Sequence, residues 1–127
     1  MKPLLILTAL LEAATGLALL LIPALLASLL LGTPLDTPAG LVIARVAGAA
    51  LLSLGIACWP VSHNKSPRAK RFLIAAMLLY NLTVTATLLH ARFAFNLTGI
   101  GLWPAAVLHT ALALWCISCL APRRIKP

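Results

Sequence analysis

Four strongly polar side chains stand inside long apolar stretches of this chain: Glu12, Arg45, Asn81 and His109. Such groups cost free energy at membrane depth, and where they occur they mark functional sites. Glu12 and Arg45 are the opposite charges within these stretches, so pairing them is the cheapest way to bury either. On one reading the pair only holds helices in register. On another, Glu12 accepts a proton or a ligand while Arg45 favours its ionised form. A third turns Arg45 out to the headgroups and leaves Glu12 neutral. His109 is either a core histidine satisfied by Asn81 or a threonine, or a ligand-binding imidazole beside Arg45. Thr8, Glu12 and Thr15 share one helical face, and Asn81 and Thr85 share another. The candidate ligand-binding centre is therefore Glu12, Arg45, Asn81, His109, Thr15 and Thr85, with Tyr80, Thr83 and Thr87 on adjacent faces. A rise of about 1.5 Å per residue puts Glu12 and Asn81 in one layer near mid-membrane, and Arg45 and His109 in a second layer nearer the outer face.

Two further constellations invite chemistry. Cys116 and Cys119 form a CxxC, with Cys58 expected near the same face as a resolving thiol. A redox CxxC sits at a helix N-terminus, where the dipole stabilises a thiolate. Here it falls at the C-terminal end of its helix, which favours buried, inert cysteines. His90 and His109 lie on consecutive antiparallel helices, and a haem would need them at matching depth. Their depths differ by roughly 6 Å, which counts against haem; no cofactor is expected, with haem or a quinone as the alternatives. Asn81 and Asn96 each begin a glycosylation tripeptide, the first inside an apolar stretch. No phosphate loop, nucleotide fingerprint, metal-protease box or acyl-transfer triad occurs, so no catalytic residue and no metal ligand is assigned.

The elements that must position these residues follow from hydropathy and punctuation. Spans are predicted over 4–22, 39–59, 71–90 and 101–120, each long enough to cross a core about 30 Å thick. Pro23 offers a break in the first apolar run, giving either a short interfacial helix over 23–31 at the outer boundary or a single tilted helix kinked there. Gly32 to Pro38 is a turn by its glycine and proline content. Pro60 and the polar stretch 62–70 end the second span, and a looser segment, 91–100, follows the third. The fold class expected is all-α, an antiparallel four-helix transmembrane bundle forming one domain over 1–127.

Composition agrees. Hydrophobic residues are 62% of the chain and charged residues 9%, against about 25% charged in soluble domains. A net charge of +8 would suggest nucleic acid in a soluble protein. Its distribution argues for membrane orientation instead. Lys2 precedes span one, Lys65, Arg68, Lys70 and Arg71 lie between spans two and three, and Arg123, Arg124 and Lys126 follow span four. The positive-inside rule then places both termini in the cytoplasm, and the basic loop can also touch anionic headgroups. Trp59, Trp103 and Trp115 fall near predicted boundaries, where indoles settle. Shifting span two onto span four by 61 positions aligns Gly40 with Gly101, Val46 with Val107 and Cys58 with Cys119, a faint internal duplication.

Glu12 to Leu17, Leu29 to Gly32, Ala44 to Gly48, Cys58-Trp59, Tyr80-Asn81 and Leu102 to His109 together resemble small bacterial four-span inner-membrane proteins with no assigned activity. That resemblance covers nearly the whole chain and implies topology, not mechanism. In general shape the chain is also similar to the DoxX-type four-helix proteins, without a diagnostic motif. Vitamin-K-epoxide-reductase-like enzymes likewise carry a CxxC on their last helix, but this sequence lacks their loop cysteines. The reading is a multi-pass protein of a bacterial inner membrane, an accessory or small-ligand-binding bundle rather than an enzyme. Its expected partners are the lipid bilayer, a small hydrophobic ligand, and a membrane-protein partner or a second copy. The alternatives are a membrane oxidoreductase acting on quinone or thiol through the CxxC, and a small proton-coupled transporter.

Overall fold

The computed structural model describes residues 1–63 and 66–121. These form α1 (Lys2–Leu21), α2 (Pro23–Leu31), α3 (Pro38–His63), α4 (Pro67–Phe95) and α5 (Leu102–Leu120). All but α2 are long and apolar enough to cross a membrane. Lys65, Arg123, Arg124 and Lys126, part of the predicted basic face, lie outside the described residues.

Local chemistry sets most helix ends. Pro23 has no N–H to continue α1 and instead opens α2, a position that proline favours. Ile22 between them leaves helical geometry, with φ −132° and ψ 52°. α2 stops at Gly32 in the left-handed region, φ 77°, where a side chain would be strained. Thr37 caps α3 by accepting from the Gly40 N–H at 3.1 Å. Ser66 caps α4 by accepting from the Ala69 N–H at 3.4 Å, with Pro67 following. α4 ends at Asn96, also left-handed, where the Leu97 N–H reaches back to the Ala91 carbonyl at 3.2 Å.

Three boundaries differ from the sequence reading, one being the start of α4, at Pro67 instead of 71, where the Ser66 cap and Pro67 open the helix inside the predicted polar stretch. α3 does not stop at Trp59 but continues through Pro60 to His63. Pro60 has no N–H to give the Ile56 carbonyl, and the Ser62 hydroxyl donates to the Trp59 carbonyl at 2.6 Å within the same last turn. α4 does not end near His90 but runs to Phe95, so half of the predicted looser segment is helical.

α1 packs closely and antiparallel on α3, and α4 does the same on α5. Glycine makes the first pairing possible. A Cβ on Gly16 would meet the Leu52 amide nitrogen at 2.5 Å and the Gly48 carbonyl at 2.6 Å. One on Gly55 would meet the Ala13 nitrogen at 2.7 Å. The two backbones therefore touch along the Gly48–Leu52–Gly55 stripe, as small-residue interfaces in membranes do. The α1–α3 and α4–α5 pairs meet more loosely through α3 with α4 and α1 with α5, which leaves α1 and α4 facing across the interior. At the end bearing the termini, Leu4, Leu5, Ala9, Cys58, Ile74, Met77, Leu112 and Cys116 close an apolar core. At the other end α2 is tied to the α4–α5 loop. The Gly101 N–H donates to the Leu29 carbonyl at 2.8 Å, and the Gly99 backbone lies directly on Leu30. The outer surface is apolar, with Leu10, Ile43, Leu79 and Val107 each more than half exposed. That is the surface lipid requires, and the chain is a multi-pass membrane protein.

Candidate functional site

Three helices bring polar side chains together above the apolar core. Glu12 on α1 is 3% exposed, and its Oε2 accepts a hydrogen bond from the Tyr80 hydroxyl on α4 at 3.1 Å. Asn81, the next residue on α4, is fully buried. Its amide nitrogen donates to the Met77 carbonyl at 2.7 Å, which turns its Oδ1 toward α5. There Oδ1 meets the His109 Nδ1 at 2.8 Å. An amide oxygen only accepts, so Nδ1 carries a proton, and in the neutral imidazole Nε2 then has the lone pair. The Tyr80 and His109 rings touch edge to face, centroids 5.7 Å apart and planes at 78°. Glu12–Tyr80 and Asn81–His109 thus form one contiguous centre, joined by that ring contact.

Arg45 is not part of it. Its side chain is exposed, and its Nε donates to the Leu20 carbonyl at 3.3 Å. Leu20 lies eight residues along α1 from Glu12, about 12 Å of helix rise. The predicted Glu12–Arg45 pair is therefore not formed. The physical reason is the Pro23 break, which leaves the last carbonyls of α1 without helical donors. Arg45 supplies one, and places a cation at the negative end of the α1 dipole. Arg71 does the same for the other pair, its Nη2 donating to the Leu120 carbonyl at 3.2 Å at the end of α5.

The two predicted layers are also rearranged. His109 lies beside Asn81 and Tyr80, not beside Arg45, because α5 runs antiparallel to α4 with position 109 opposite 81. Thr15 is exposed, turned away from the centre although three residues from Glu12. Thr85 is half-buried, and its hydroxyl, like that of Thr8, is buried without a hydrogen-bond partner. Thr8 lies one turn before Glu12 and Thr85 one turn after Asn81, so the orphaned hydroxyls flank the centre. Thr85 also lines an open groove of about 330 Å³ between α4 and α5, walled by Leu89, Trp103, Val107 and Leu114.

Tyr80 is the residue that the candidate set omitted. A phenol in the middle of an apolar span, far from the boundary where tyrosines settle, was the available signal. His90 and His109 are not brought together: His90 is exposed, its ring edge-on to Phe95 at 5.2 Å. The three cysteines do converge. Cys58 and Cys116 are fully buried in the apolar core, and Cys119 packs against it, all as free thiols. Among the described residues no group of three or more His, Cys, Asp or Glu side chains could hold a metal ion. Comparisons with protein-family models, curated proteins and solved structures return no match.

Proposed function

We propose that this protein binds a small lipid-soluble molecule bearing a hydroxyl head, and that it does so without catalysing a reaction. The observation that carries this reading is the centre built from Glu12, Tyr80, Asn81 and His109, two hydrogen-bonded pairs from three helices at mid-bundle. With Nδ1 committed to Asn81, the His109 Nε2 offers an acceptor. A hydroxyl, such as that of a quinol, matches it. The apolar α4–α5 groove would take the tail, and Thr85, whose hydroxyl is unpartnered, belongs both to its wall and to the flank of the polar centre. Ligand sites of membrane bundles combine an apolar channel with a few fixed polar groups in this way. Its membrane is a bacterial inner membrane, in keeping with the resemblance to small four-span proteins. The termini face the cytoplasm by the lysine and arginine distribution.

Trp103 lines the groove, so its fluorescence reports occupancy. A short-chain quinol should quench the detergent-purified protein saturably. His109→Leu should abolish the quenching, and Thr85→Val should weaken it several-fold. Unchanged affinity in a folded His109→Leu variant overturns the reading.

One observation favours a second reading, proton-coupled transport by a dimer: Glu12 is a carboxylate held at mid-depth by Tyr80. Glu12→Gln should then abolish proton uptake into vesicles while leaving the fold intact. Uptake that persists in that variant rules out Glu12 as the carrier.

A further inference from the structure

At the end bearing the termini, Arg68, Arg71, Phe72, Ala75 and Leu120 line an open groove of about 420 Å³ between α4 and α5. Its upper rim is basic and its walls are apolar. Both guanidiniums are held in place. Arg71 is fixed by its bond to the Leu120 carbonyl, and Arg68 lies over the Phe72 ring with its central carbon 5.9 Å from the centroid. One Arg71 nitrogen serves that carbonyl, and among the described residues its remaining donors, and those of the exposed Arg68, have no hydrogen-bond acceptor. Phe72 is 68% exposed, an aromatic face turned outward immediately below two cations.

We infer that this groove is a binding site for one anionic phospholipid, its phosphate held by Arg68 and Arg71 and an acyl chain lying along Phe72, Ala75 and Leu120. Charge complementarity singles out this occupant. A planar guanidinium matches a phosphate with two parallel hydrogen bonds, and two of them side by side over an apolar wall match a headgroup above its chain. A zwitterionic lipid would bring its own cation against the same pair of arginines. The site is separate from the polar centre at mid-bundle, and shares no residue with it.

The test uses the full chain in neutral detergent, with bound lipid read by native mass spectrometry. Dioleoyl phosphatidylglycerol should be retained in preference to dioleoyl phosphatidylcholine. Each of Arg68→Gln and Arg71→Gln should weaken retention about fivefold, and the two together about 30-fold. Arg92→Gln, at the opposite end, should change nothing. Among the described residues Arg68 bonds no backbone group, so Arg68→Gln carries the test alone if Arg71→Gln folds poorly. Equal retention of the two lipids overturns the inference, as does a double variant that binds like the wild type. Displacement of phosphatidylglycerol by millimolar inorganic phosphate also overturns it, by showing a free-phosphate site instead.

Discussion

Removing the Tyr80 hydroxyl tests whether the polar centre is an energetic unit. The Tyr80–Glu12 bond joins α4 to α1, which face each other across the interior. At 3.1 Å it lies just beyond the roughly 2.5–3.0 Å usual for a hydroxyl donor. A coupling in the range for side-chain hydrogen bonds between transmembrane helices is therefore expected, an average of about 0.6 and at most about 1.7 kcal/mol. Burial of Glu12 puts it in the upper half of that range, about 1 kcal/mol. The assay is a double-mutant cycle of Tyr80→Phe and Glu12→Leu, which removes the acceptor, read by reversible unfolding in mixed micelles. The same cycle on Glu12→Leu and Arg45→Met should be additive within about 0.5 kcal/mol, because those side chains serve sites about 12 Å apart along α1. Additivity for Tyr80 together with coupling for Arg45 would refute the geometry described above.

Other outcomes follow from the same structure. Gly48→Leu should destabilise the fold by about 2 kcal/mol or more, because its Cβ alone would stand 2.8 Å from the Gly16 carbonyl, while Gly40→Leu should cost less, its nearest contacts being the side chains of Leu35 and of the capping Thr37 rather than another helix's backbone. Unfolding midpoints of the two variants compare them directly. Arg45→Met should cost about 1 kcal/mol through the lost cap on α1, and Arg45→Lys should recover part of it, a ranking that thermal unfolding in detergent resolves. Cys58 and Cys116 should resist maleimide labelling in native membranes and react fully after denaturation, with Cys119 intermediate; rapid native labelling of Cys116 would instead revive a thiol-redox role.

Much of the architecture was legible in the chain itself. Apolar run lengths counted the spans, because a bilayer demands about 20 such residues whatever their order. Pro23 and Gly32 marked the bounds of α2, since one lacks an N–H and the other tolerates positive φ. Glu12, Asn81 and His109 stood out because polar groups are scarce in such runs. Partner choice was not legible. Helices apolar around most of their circumference give no clear facing signal, so electrostatics favoured Glu12 with Arg45. Backbone contact at Gly16, Gly48 and Gly55 sets how α1 lies on α3, and that contact depends on shape, not charge. It puts Arg45 opposite the broken end of α1 and leaves Glu12 facing Tyr80. Chain order alone could name the costly side chains, but their neighbours came from how closely two backbones can approach.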